Sequence, residues 1–167
     1  LAMAQGPQSL APFYGPPRIF SFTKEIQPIL DTHCIPCHSD RDPAIPMQDQ
    51  DHQDKTSFSL LGKTVPDPQA KRRWSEAYLV LTESAPNQNG GAYRGNPNGR
   101  WVRWIPAQSE PHMLAPYHAG ASRSPLMQLL DTGHEGVTLS AEEKHKIAAW
   151  IDLLVPFCGD YTEGHLW

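Results

Sequence analysis

Apolar residues recur at helical spacing in several separated stretches of this chain. Ile26, Ile29, Leu30 and His33 share one helix face, which predicts a helix over 22–38. Pro28 is best placed in its first turn, where a missing N–H costs least. Trp74, Ala77, Tyr78 and Leu81 stand at i, i+3, i+4 and i+7 and predict a short helix. Ser124 and Pro125 read as the N-cap and first residue of another, with Leu126, Leu129 and Leu130 as its buried face and Gly133 just past its end. Ser140 and Glu143 have capping-box spacing for a last helix, Ser140–Val155. Its apolar stripe is Ile147, Trp150, Ile151 and Leu154, and Pro156 stops it.

The remaining stretches lack a helical period. Residues 1–20 carry Pro7, Pro12, Pro16 and Pro17 beside Gly6 and Gly15 and read as an extended arm. Its Leu10, Phe13, Tyr14, Ile19 and Phe20 can pack on their own domain or on a neighbour. Residues 39–73 are polar and irregular. Asp49, Asp51, Asp54 and His52 lack the glycine and distal Glu of a calcium loop and read as a solvated loop. Residues 86–100 are rich in Asn and Gly and predict turns, and Trp101–Ile105 alternates weakly, as a short strand would. The expected organisation is an arm, 1–20, and one all-α domain, 21–167, interrupted by a long irregular insertion at 40–100.

Composition adjusts this only slightly. Proline, at 17 of 167 residues, is about twice its usual share and fits a loop-rich chain. A net charge of -4 with no basic run argues against a nucleic-acid partner. No apolar run is long enough to span a membrane.

One motif carries definite chemistry. Cys34-Ile35-Pro36-Cys37-His38 is a complete C-x-x-C-H, the attachment signature of a c-type haem. Two thiols add across the two vinyl groups of one porphyrin, and the two-residue spacer lets both sulfurs reach the ring edge from one helical turn. His38 then lies under the iron as proximal ligand. A zinc half-site would want a second ligand pair, and no second C-x-x-C exists. A redox dithiol would want a βαβ context, which the flanks do not supply. A covalent haem would also furnish much of the apolar core. The third cysteine, Cys158, reads as a buried thiol, with an intermolecular disulfide or a reactive thiol as the alternatives. Such haem attachment takes place outside the bacterial cytoplasm, so a periplasmic or extracellular location is expected. Leu1-Ala2-Met3-Ala4 is too short for a signal-peptide core, so the expectation is a mature chain or a fragment.

A helix running into C-x-x-C-H, with an amphipathic helix near the C-terminus, resembles a class I cytochrome c. That resemblance implies that the two helices cross beside the haem, with Ile26, Ile29 or Leu30 meeting Trp150 and Leu154. Phe22–Leu30 and Ser124-Pro125-Leu126 resemble a widespread group of bacterial c-type cytochrome domains. The segments Pro116–Gly120, Gly133–Val137 and Trp150–Pro156 resemble the C-terminal haem domain of the hydrazine synthase alpha subunit and its relatives. The likeness covers roughly residues 20–40 and 100–162. It implies an electron-carrying haem domain and does not extend to hydrazine synthesis, which in that subunit goes with a propeller and a second haem domain.

The sixth position of the iron has several candidates: Met3, Met47, Met113 and Met127, and His33, His52, His112, His118, His134, His145 and His165. His134 fits best. It lies between a helix end at Gly133 and the capping box at Ser140, in the loop that class I cytochromes use, and Gly133 and Gly136 let that backbone approach a flat ring. The family resemblance also implies a bis-His haem with its distal ligand at the Gly-His pair. A surface loop histidine is the plain alternative. His118, in a Pro/Gly-rich loop, comes next, then Met113. Met127 reads as core packing, His33 and His145 as solvent-side, and His165 as part of a frayed tail. Trp74, Trp101, Trp104, Tyr117 and Trp150 are candidate haem walls or plain core. Arg100 and Arg103 are candidate propionate partners or solvated arginines. The function expected is electron transfer by a six-coordinate monohaem cytochrome that exchanges electrons with a redox partner protein, alone or assembled through the 1–20 arm. The alternative is a haem enzyme or gas-binding domain with an open sixth position.

Overall fold

Ser21 opens the first helical segment, its hydroxyl accepting the Lys24 N–H. In this computed structural model residues 6–7, 9–39, 58–107, 109 and 113–165 are described; Met3, Met47, His52, His112 and the acidic stretch around Asp51 lie outside them. The first turn, Phe22–Ile26, is wound wider than an α-helix, with the Gln27 N–H reaching back five residues to the Phe22 carbonyl. Pro28 has no N–H for the Lys24 carbonyl, so an α-helical ladder cannot run unbroken through this turn. Helix α1 (Gln27–His33) continues it, and α2 (Ile35–His38) follows through Cys34. Further along come α3 (Glu76–Leu81), α4 (Pro125–Thr132) and α5 (Ala141–Asp152).

Helix α5 begins at a complete capping box formed by Ser140 and Glu143. It packs on the first helical segment through Phe22 and Trp150, both fully buried, with ring centroids 5.1 Å apart. Tyr78 and Phe157 complete an aromatic cluster, at 5.3 Å between Phe22 and Tyr78 and 4.8 Å between Tyr78 and Phe157. The helix ends at Asp152, earlier than expected. Leu154 and Val155 then adopt positive φ (67° and 49°), which swings the chain back so that the Phe157 carbonyl accepts the Phe22 N–H at 3.1 Å. Leu154 therefore leaves the apolar stripe and stands 42% exposed.

The expectation of an all-α fold is overturned. Among the described residues helices make up 33% and strands, isolated bridges included, 12%, with two small antiparallel sheets. In the first, β1 (Thr64–Asp67) pairs with β2 (Arg72–Ser75), Val65 opposite Trp74. In the second, β3 (Ala85–Pro86) pairs with β4 (Tyr93–Arg94) across the Asn/Gly-rich turn. Asp67 explains both. Its buried carboxylate accepts the Ala70 N–H (3.1 Å) and the Trp74 indole N–H (3.0 Å) of the first hairpin and the Tyr93 N–H (2.9 Å) of the second. Trp74, expected on a helix, is thus held in β2. The helix starts after it because the Ser75 hydroxyl caps Tyr78. Residues 101–105 form no strand, only an isolated bridge between Asn98 and Arg103.

The arm is anchored at Phe13, Tyr14, Arg18 and Phe20, whereas Leu10 stands 96% exposed. Arg18 grips the buried Glu25 carboxylate with two nitrogens and the Phe13 and Tyr14 carbonyls with a third, and Tyr14 bonds His145. At the other end, His165 forms a backbone bridge to Arg72, so the tail to residue 165 is not frayed. Cys158 is half-buried between the two: its thiol donates to the Glu163 carbonyl at 2.9 Å and lies 3.1 Å from an Arg72 nitrogen, and burial pushes its pKa up. Among the described residues no helix is long and apolar enough to cross a membrane.

Candidate functional site

The C-x-x-C-H motif sits at the end of α1 and on α2. Cys34 donates its N–H to the Leu30 carbonyl at 2.8 Å, and His38 donates to the Cys34 carbonyl at 3.0 Å. This one helical turn leaves Cys34 half-buried, Cys37 exposed and His38 buried. The Leu60 N–H closes the site from outside, donating to the His38 carbonyl at 2.8 Å.

His134 arrives from the opposite wall. Gly133, at φ 96°, ends α4, and Gly136, at φ 76°, closes a tight turn in which the Val137 N–H bonds the His134 carbonyl at 2.8 Å. Among the described residues, none beyond the chain neighbours comes within 4 Å of where a Cβ would stand on either glycine, so within the protein they serve the backbone angle rather than close approach. The His38 and His134 ring centroids are 6.0 Å apart with planes 10° from parallel. That gap is too wide for face-to-face packing.

Between the histidines lies a partly open cavity of about 280 Å³. Ile26, Ile29 and Leu30 line it from the first helical segment, Leu126, Leu129 and Leu130 from α4, and Ile147 from α5; Phe58, Leu60, Trp101 and Leu139 close its sides. The α4 leucines were expected to be buried, yet no residue of that helix is, because its apolar face fronts this space. An apolar helix face turned toward a cavity is incomplete packing by the standards of a protein interior.

Burial, and then the neighbouring His134, hold His38 below the ordinary imidazole range, which favours the neutral form that ligates metals. Burial and then Cys37 push the Cys34 thiol up to about 11, the reverse of what an exchanging dithiol needs. Among the described residues no three His, Cys, Asp or Glu side chains converge on a point, whereas a structural zinc site takes four ligands.

A porphyrin fits these residues. Two metal–nitrogen bonds of about 2 Å, plus the distance from each nitrogen to its ring centre, place two axial imidazole centroids about 6 Å apart. The cavity wall is apolar on both faces, and both thiols stand on its rim.

The other candidates lie elsewhere. His118 is exposed in its loop, and Met113 is 97% exposed; neither lines the cavity. Met127 packs against the core. His33 is not solvent-side: half-buried on the cavity rim, it bonds Glu143 at 2.9 Å. Of the aromatic candidates only Trp101 lines the cavity; Trp74 and Trp150 belong to the aromatic cluster, Trp104 is half-buried outside the lining and Tyr117 is exposed. Arg100 lies over the Trp101 ring and 3.6 Å from Glu83. Arg103 has its Nε buried without a partner among the described residues. Sequence reasoning missed Phe58, which stacks on His38; its one signal was an apolar residue closing a long polar stretch.

In comparisons with known proteins, no family model, no curated protein and no solved structure matches this chain.

Proposed function

We propose that this chain is a c-type haem protein that carries electrons, with one porphyrin bound through Cys34 and Cys37 and its iron held between His38 and His134. The observation that carries this reading is the pair of near-parallel imidazoles 6.0 Å apart across an apolar cavity, beside a complete C-x-x-C-H. The resemblance of Gly133–Val137 and Trp150–Pro156 to the hydrazine synthase haem domain agrees with it. When bound, the group supplies one-electron exchange. The chain supplies the rest. His38 and His134 would hold the iron from its two sides, which would leave no open position for a substrate. Two imidazoles would set a lower potential than His/Met ligation, and the leucines of α4, which line the cavity, would give the bound group an apolar wall. Cys37, on the exposed rim, marks the edge where a redox partner protein would approach. Because attachment to C-x-x-C-H takes place outside the cytoplasm in bacteria, this reading carries with it a periplasmic or extracellular location.

The test is expression in a host that matures c-type cytochromes, followed by acid–organic extraction. The porphyrin should stay on the chain, with the mass of one haem added. Free haem in the extract, or an unmodified mass, overturns the proposal.

A further inference from the structure

The rotation of the His38 ring is not fixed through Nδ1 by any of the described residues. A metal-bound histidine ordinarily donates its second ring N–H to a carbonyl or carboxylate, and that bond fixes the ring's rotation. Here Nδ1 of His38 is buried and has no partner among the described residues. Phe58 lies against the ring instead, with centroids 4.6 Å apart and planes 16° from parallel. The Phe58 ring is itself backed by Trp101 at 5.3 Å. Its position follows from the backbone, because Leu60, two residues on, is tied to the His38 carbonyl. Turning the imidazole about an axis through its ligating nitrogen would drive the ring edge into the Phe58 face.

We propose that Phe58 is a positioning residue that sets the rotation of the His38 imidazole parallel to that of His134. This rests on the haem reading above. An imidazole plane raises one of the two iron dπ orbitals above the other. Two parallel planes add their effects, whereas crossed planes cancel them. Parallel planes therefore direct the half-filled orbital of the ferric ion along one axis of the porphyrin and favour electron exchange through the edges on that axis. Phe58 acts through His38 and touches no reacting atom, so its signature is spectroscopic.

The test is electron paramagnetic resonance of the frozen ferric protein, with optical spectra and a denaturing haem stain run in parallel on the wild type, Phe58→Leu and Phe58→Tyr. The wild type should be low-spin and rhombic. Phe58→Leu should keep its covalent haem and low-spin optical spectrum but shift to the strongly anisotropic form, with one dominant low-field feature. Phe58→Tyr, which keeps a ring face, should stay rhombic. A strongly anisotropic wild type, a Phe58→Leu variant that remains rhombic, or a Phe58→Tyr variant that behaves like Leu overturns the role. So does loss of low-spin ligation in Phe58→Leu, since that would make Phe58 a residue the ligation needs rather than one that aims the ring. A wild type without covalent haem, or with high-spin iron, instead overturns the haem reading itself.

Discussion

Glu143 joins His33, the residue just before the C-x-x-C-H motif, to the start of the last helix. One carboxylate oxygen accepts from His33 Nε2 at 2.9 Å, and the other accepts the Ser140 N–H at 2.8 Å. The capping box of α5 is thus also the clasp between α5 and α1. The Ser140 N–H chiefly holds the Glu143 carboxyl below its ordinary 4.5, against the effect of burial and with help from His33. A depressed carboxyl stabilises the fold fully above its unfolded value and loses that contribution as pH falls through its folded value.

The first prediction follows from that clasp. Ser140→Ala should cost about 1 kcal/mol at neutral pH, read as a lowered urea midpoint. Glu143→Gln keeps a capping side chain but loses the titration, so its stability should fall less than the wild type's between neutral pH and pH about 3.5. Equal pH dependence in the two proteins would refute the assignment.

A second prediction concerns Asp67. Its carboxylate serves the Trp74 indole and the Tyr93 amide from a buried position, so Asp67→Ala strands donors in both hairpins. The expected cost is about 3 kcal/mol, measured by urea unfolding, with the haem spectrum of the folded protein unchanged. A loss below about 1 kcal/mol would show that the hairpins stand without it.

Asp67 also shows where sequence reading reached its limit. Helix ends marked by local chemistry were legible: the Ser140–Glu143 box, Pro125 in the first turn of α4 and Gly133 after it; Ser124 stands at the N-cap of α4, but its hydroxyl does not cap the helix and bonds the Gly120 carbonyl and the Arg103 N–H instead. These signals act within one turn of chain. The strands depend on a side chain that bonds an amide 26 positions further along the chain, and no periodicity announces that. Trp74 satisfied a helical spacing and still went to β2, because Ser75 caps the helix after it. In the site, the motif and the Gly-flanked His134 were readable from residue type and position. Phe58 was not, since its stacking on His38 comes from chain path rather than pattern.

A third prediction concerns the cavity. Leu126, Leu129 and Leu130 face it without burial by protein. Replacing both motif cysteines, Cys34→Ser with Cys37→Ser, should yield a chain that binds an apolar fluorescent dye several-fold more strongly than the attached form, with a lower thermal midpoint. Unchanged dye binding and midpoint would mean that the cavity closes on itself.

The most direct test of the central claim is carbon monoxide binding by the ferrous protein, followed in the Soret band. The wild type should be low-spin and six-coordinate and should not take up carbon monoxide readily, because His134 opposes His38 across the cavity. His134→Ala should bind it readily, with little loss of fold, while His118→Ala and Met113→Ala should behave as the wild type. A wild type that binds carbon monoxide at once, or a His134→Ala variant that stays six-coordinate and unreactive, would contradict the assignment of His134 as the second axial ligand.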